Sequence, residues 1–229
     1  MKRAAIIMCG LLGLFCLSQA NAGVTVGATR VIFASDMKET SLSVNNTGSD
    51  SVFLVRSWIS NFDEVNKSAV PFISTPPLFR IEKNQNSIIR IALKSGAGLP
   101  KDRESIYWMN VLVIPPTQSK NEDAGRLQFS VNNRLKLIYR PEALNNKDLK
   151  DIYTKIKFTR TGEGLTVSNS TPYYVSFGKI TINNSQVKDN VMVPPLGSIV
   201  IKQAPSGSDI SWTVIDDYGG VSKTGHAKI

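Results

Sequence analysis

Short runs of alternating apolar and polar positions, and no sustained helical stripe, organise this chain. In order, Val24–Phe33, Thr40–Asn45, Ser51–Ile59, Phe72–Ile73, Ser87–Leu93, Tyr107–Ile114 and Leu127–Tyr139 concentrate Val, Ile, Phe and Tyr. Runs of this kind between Gly, Asn and Pro signals predict strands, because branched and aromatic side chains pack well on a pleated surface. Asn45-Asn46-Thr47-Gly48, Ser95-Gly96 and Asp123-Ala124-Gly125 supply the punctuation. Together they match one immunoglobulin-like sandwich. A second set follows at Ile156–Arg160, Leu165–Asn169, Tyr173–Ile182, Val191–Val193, Ser198–Ile201 and Ser211–Ile215, with a hairpin predicted at Gly162-Glu163-Gly164. Pro141 ends the strand before it, and the polar stretch 142–147 reads as a hinge. The expected architecture is all-β, with two β-sandwich domains at 23–141 and 148–229.

Three features are unusual for plain sandwiches. Thr75-Pro76-Pro77 and Ile114-Pro115-Pro116 place paired prolines at strand edges, where tight or cis turns suit them. The run Leu127–Tyr139 is also long against a strand mode of about five or six residues. Within it Leu127, Phe129 and Val131 recur at period two with polar Gln128 and Ser130 between them, so they line one face. Pattern alone favours packing of that face into the domain's own core. The alternative is an exposed apolar edge, which proteins normally suppress.

The N-terminus changes the picture. Lys2 and Arg3, the apolar run Ala4–Leu17 and the small-residue site Ala20-Asn21-Ala22 predict a signal peptide at 1–22 and a mature start at Gly23. The apolar segment is too short to serve as a membrane span. Both cysteines, Cys9 and Cys16, fall inside the leader, so the mature protein must hold together by its hydrophobic core. The net charge of +9, less Lys2 and Arg3, is +7, and it is scattered without a run of five. That distribution and an exported address point away from nucleic acid.

Candidate chemistry is sparse. The single histidine, His226, lies three residues from the end, which excludes a Ser-His-Asp triad or a histidine-built metal site. There is no phosphate-binding glycine loop and no nucleophile elbow. No spacing singles out a carboxylate pair, and 8% aromatic content is thin for a sugar groove. No catalytic residue, metal or cofactor is predicted.

Seven segments carry a resemblance. They are Ala28-Thr29-Arg30-Val31-Ile32-Phe33, Ser74-Thr75-Pro76-Pro77-Leu78-Phe79-Arg80, Leu99-Pro100-Lys101-Asp102-Arg103-Glu104-Ser105 and Asn110-Val111-Leu112-Val113-Ile114-Pro115-Pro116. Leu135-Lys136-Leu137-Ile138-Tyr139-Arg140-Pro141, Asn169-Ser170-Thr171-Pro172-Tyr173-Tyr174 and Asp216-Asp217-Tyr218-Gly219-Gly220 complete them. In this order, over nearly all of the mature chain, they resemble the PapD-like periplasmic chaperones of the chaperone–usher pathway.

The resemblance implies two immunoglobulin-like domains in an L-shaped arrangement and a non-enzymatic function. Such a protein binds fimbrial subunits that lack their final strand, lends one of its own, and delivers them to an outer-membrane usher. By position, Leu127, Phe129 and Val131 are the donor-strand side chains, and Arg30 and Lys136 anchor the subunit's C-terminal carboxylate. Glu104, Arg140 and Asp217 correspond to an interdomain charge network. Lys136 has the opposite parity to the donor residues, so either a twist or bulge near Asn132-Asn133 reorients it, or the cleft is reached from that other face. The ten-residue stretch Thr117–Arg126 matches the family's shorter loop class, associated with thicker, rod-like fimbriae. An uncovered edge further predicts self-association of the subunit-free protein. The alternative is an immunoglobulin-like structural or adhesive fimbrial protein.

Overall fold

The structure, a computed structural model, describes residues 23–48, 51–94, 98–116, 127–145, 149 and 151–229. The leader with Cys9 and Cys16, the Ser95-Gly96 turn and the Thr117–Arg126 loop with its Asp123-Ala124-Gly125 turn lie outside these residues, as does part of the 142–147 hinge.

The first unit contains β1 (Val24–Val26), β2 (Arg30–Ala34), β3 (Glu39–Asn46), β4 (Phe53–Asn61), β5 (Phe72–Thr75), β6 (Leu78–Ile81), β7 (Asn86–Leu93), β8 (Ser105–Ile114) and β9 (Val131–Arg140). They form a four-stranded sheet, β1-β3-β7-β5, facing a five-stranded sheet, β2-β9-β8-β4-β6. Period-two alternation decides what lies between. Leu42, Val44, Ile89 and Ile91 from one sheet meet Phe33, Val55, Met109, Val111 and Leu137 from the other, all buried. Each such side chain contributes roughly 1.5–3 kcal/mol when fully removed from water.

The second unit contains β10 (Ile156–Thr161), β11 (Gly164–Asn169), β12 (Val175–Ile182), β13 (Ser185–Gln186), β14 (Met192–Val193), β15 (Gly197–Ile201), β16 (Asp209–Ile215) and β17 (Gly225–Lys228). The sheet β10-β11-β15 packs on β13-β12-β16-β17, with β14 also paired to β12. Its core is built on Phe158, Leu165, Ile182, Ile210 and Trp212. The predicted β10–β11 hairpin is present, with Thr161 paired to Gly164.

Several expectations are corrected. Val24–Phe33 is two strands, because the chain changes sheets: β1 pairs with β3 and β2 with β9. The crossing passes Gly27, where a Cβ would meet Ser43 Oγ and oblige that hydroxyl to turn aside. Edge strands β6 and β17 escaped the pattern because one is short and carries Arg80 and the other reads Gly-His-Ala-Lys. The Thr75-Pro76 bond is cis, and Ser57 Oγ donates to the Pro76 carbonyl at 2.8 Å. The predicted hinge stretch includes a 3-10 turn, Glu142–Leu144. Leu144 is buried, and its carbonyl accepts a 3.0 Å hydrogen bond from the Tyr173 hydroxyl in the second unit.

Candidate functional site

The site is organised by β9. On one side it pairs antiparallel with β8 along its length, from Ser105↔Tyr139 to Val113↔Val131. On the other side β2 runs parallel to it only from Arg30↔Lys136 to Ala34↔Arg140. Among the described residues, Val131–Leu135 therefore keep one backbone edge without a partner strand. The expected strand start at Leu127 is corrected to Val131, since Leu127–Ser130 belong to no ladder. The cause lies opposite: β8 ends at Ile114, and Pro115 and Pro116 have no N–H with which to continue it. Gln128 Nε2 donates to the Pro115 carbonyl at 2.8 Å across this gap.

Leu127, Phe129 and Val131 are 81%, 73% and 58% exposed. The packing of this face into the domain's own core, favoured by pattern alone, is thus overturned. Their parity is that of Leu135, Leu137 and Tyr139, which are buried. Val131 continues that face beyond the end of the core at the open edge, and Leu127 and Phe129 lie exposed in the segment just before it.

Arg30 and Lys136 are register partners on adjacent parallel strands, on the face opposite the core. The pairing of β9 with β8 runs without a register shift, so no bulge near Asn132-Asn133 reorients Lys136. The second unit covers the face it already occupies: Lys136 Nζ donates to Ser176 Oγ at 2.9 Å. Arg30 Nη1 makes only a long 3.5 Å bond to the Ile215 carbonyl, and its buried Nε has no acceptor. Neither cation has an ion-pair partner among the described residues. Burial, reinforced by the like charge of Arg30, lowers Lys136 to about 8. Burial also lowers Arg30, against the opposing pull of Asp217, Asp216 and Glu104.

Next to this pair, Glu104, Arg140 and Asp217 are brought together across the two units. Arg140 Nε donates to Glu104 Oε1 at 2.8 Å. Its Nη1 and Nη2 form a fork on Asp217 at 2.7 and 2.9 Å. Glu104, 3% exposed, accepts the Tyr174 amide on its other oxygen at 2.7 Å. The Tyr173 ring lies under the Arg140 guanidinium, 5.4 Å from its centroid. Burial works against the Arg140 charge, but the hydrogen bonds to Asp217 and the charge of Glu104 outweigh it and raise its pKa. Arg140 is the residue these acids bond to directly, while Arg30 and Lys136 make no ion pair among the described residues and Arg30 feels the acids only through space.

Ser176, Ile215 and the Tyr173-Tyr174 pair were not among the residues proposed from the sequence. Ser176 and Ile215 act through an ordinary hydroxyl and a backbone carbonyl, for which no motif exists. Tyr173 and Tyr174 sat in a quoted segment without a role.

The family model described as pili and flagellar-assembly chaperone, PapD N-terminal domain, matches residues 23–145. The pili assembly chaperone PapD, C-terminal domain, matches 151–226. The chain belongs to the PapD family of pilus-assembly chaperones. Its relatives include the chaperone protein FocC of Escherichia coli, 35% identical over 219 residues and 95% of each chain. The chaperone protein FimC of Escherichia coli K12 is 36% identical over 96% of this chain and 89% of its own. Among solved structures, a chain from the Salmonella enterica complex of SafA pilin with the SafB chaperone superposes with a TM-score of 0.82 at 33% identity, covering 93% of this chain and 99% of that one. The Escherichia coli chaperone DraB gives 0.79 at 35% identity, over 90% and 98%. The protein is therefore a non-enzymatic, two-domain chaperone of pilus assembly.

Proposed function

We propose that this chaperone is exported to the periplasm by cleavage of residues 1–22, completes the fold of fimbrial subunits by lending them β9 and the segment before it, and delivers them to an outer-membrane usher. The observation that carries this reading is the row Leu127, Phe129 and Val131, exposed beside an open strand edge. An isolated apolar row on an unpaired edge is an aggregation hazard unless a partner strand covers it. In strand addition, main-chain hydrogen bonds supply affinity and alternate side chains fill pockets. The known pairing of SafB with a pilin supports a subunit as that partner.

Arg30 and Lys136 lie at the junction where β2 takes over the edge that Val131–Leu135 leave open. A subunit strand added to that edge meets β2 end-on, with its terminal carboxylate beside the two cations. Charge-assisted hydrogen bonds there hold the register, and a slip of one residue would turn every apolar side chain away from its pocket.

The test is recovery of a co-expressed fimbrial subunit from periplasm with the natural chaperone or with Phe129→Asp. Because Phe129 is exposed, the variant's own stability should move by no more than about 0.5 kcal/mol. Subunit capture should weaken by at least about tenfold, since roughly 1.5–3 kcal/mol of apolar burial is lost and a charge enters an apolar pocket. Undiminished recovery with the folded variant would rule out the donor role.

A further inference from the structure

We propose that Tyr218 reads the side chain of the last residue of a bound subunit and selects a bulky apolar one. The proposal rests on the reading above that places the subunit's terminal carboxylate beside Arg30 and Lys136, and it adds a side-chain subsite that those cations do not form.

Among the described residues Tyr218 is the most exposed of the large hydrophobic side chains, at 94%. Its backbone, by contrast, is tightly held. The turn that carries it follows β16 and is closed by a bridge between Ile215 and Val221. Asp216 Oδ1 accepts the amides of Tyr218 and Gly220 at 2.9 and 2.7 Å, and the Asp216 amide donates to the Gly220 carbonyl at 2.9 Å. Asp217 is fixed by the fork from Arg140. Gly219 completes the turn at φ +88°, which glycine adopts without strain. A tyrosine has only two side-chain torsions to lose, so a ring held out on such a turn can bury area at low entropic cost. Tyrosine is enriched among the residues that dominate binding energy for this reason.

The turn stands where the subunit strand would stop. Arg30 opens β2, and its partner on β9 is Lys136. Gly219 packs against Thr29, the residue before β2: a Cβ on Gly219 would come within 2.7 Å of Thr29 Oγ1. A strand running along the open edge of Val131–Leu135 into the start of β2 therefore ends against this turn. Beside Arg30 lies a cavity of about 390 Å³ bordered by Thr29, Arg30, Ile32, Thr40, Asp217 and Tyr218. Lys136 does not border it. The carboxylate and the side chain of the last residue thus have separate places, the one between the cations and the other on the Arg30 side, against the ring. Asp217 shows this cavity no free oxygen, because Arg140 takes both. Ile32 and the Tyr218 ring supply its apolar wall.

The experiment measures binding of two tail peptides copied from a co-purifying subunit, both with a free terminal carboxylate, one ending in Leu and the other in Gly. The natural chaperone should bind the Leu peptide about tenfold more tightly, the fold-change for burying most of a leucine side chain. Tyr218→Ala should erase the difference by weakening the Leu peptide to the level of the Gly peptide, whose own affinity stays unchanged. Tyr218→Phe should keep it, since the ring face and not the hydroxyl makes the contact. Thermal melts of both variants should match the natural protein, because the side chain is solvent-exposed. Amidating the C-terminus of the peptides tests the anchor separately and should weaken both.

A natural chaperone that does not distinguish the peptides, or a Tyr218→Ala variant that still does, overturns the subsite. An equal loss of both peptides in Tyr218→Ala does the same, since the ring then sets only the geometry between the units. In each of these cases weakening by amidation leaves the anchor standing. A Tyr218-dependent preference in peptides whose binding amidation leaves untouched supports the subsite and sinks the anchor.

Discussion

A chaperone carrying both Arg30→Ala and Lys136→Ala should fold and be exported like the natural protein, yet should no longer retain a fimbrial subunit through purification. The two cations are half-buried, adjacent in register and without a direct ion-pair partner among the described residues. Removing one partner of a buried charge pair weakens association by roughly 2–5 kcal/mol, so either single variant should already lose about thirtyfold or more. The fold itself should not suffer. Two like charges held together out of water oppose folding, and their removal relieves that opposition. Co-purification together with a thermal melt separates the two effects. A folded double variant that still holds its subunit would rule out the anchor.

The same pair predicts a pH dependence of binding. Lys136 is lowered to about 8 from an ordinary 10.5 by burial and by Arg30. Between those values the unfolded chain binds more protons at this position than the folded one, so the stability contributed by Lys136 rises with pH across that window. Carboxylate binding runs the other way. Below pH 8 the lysine is charged and attracts the anion; above it the free site loses its proton and affinity falls. Titrating a free-carboxylate tail peptide at pH 7 and pH 9.5 should show the decline, and Lys136→Arg should flatten it. A natural protein with no decline would contradict the assignment of Lys136.

Arg140→Ala should damage the fold severely. Its guanidinium closes two buried ion pairs, to Glu104 at 2.8 Å and Asp217 at 2.7 Å, with side-chain exposures of 11%, 1% and 27% for Arg140, Glu104 and Asp217. Truncating one member of such a set leaves uncompensated buried charge, worth roughly 3–5 kcal/mol. At about 2–4 °C per kcal/mol for a chain of this size, Tm should drop by roughly 6–20 °C. Arg140 belongs to β9, the strand proposed to be lent, while Asp217 follows β16 of the other unit. Loss of the network should therefore loosen the angle between the units as well as the melt. A Tm within about 2 °C of the natural protein would show that the network contributes little.

How much of this was legible in the sequence depends on the physics of each part. Strand periodicity exposed most of β3, β4, β7, β8, β10, β11, β12 and β16, because a half-buried strand must alternate. It failed at β6 and β17, whose short edge sequences need no such alternation. For β9 the alternation of Leu127, Phe129 and Val131 was visible, but whether they faced a core was not. Exposure is set by where the partner strand stops, and Pro115-Pro116 stopping β8 is a relation between segments distant along the chain.

The sequence by itself indicated an all-β chain of two sandwiches, and its resemblance to the family pointed to Arg30, Lys136, Glu104, Arg140 and Asp217 as the charges to watch. Only the tertiary structure decided how those charges divide. It gave both acids to Arg140 and left Arg30 and Lys136 unpaired, because hydrogen-bond geometry across a domain boundary depends on distances that residue order does not encode. It also resolved the parity of Lys136. A strand in a two-layer sandwich has a core face and an outer face, and here the second unit packs on the outer face, so one straight strand presents apolar side chains to one partner and a cation to another.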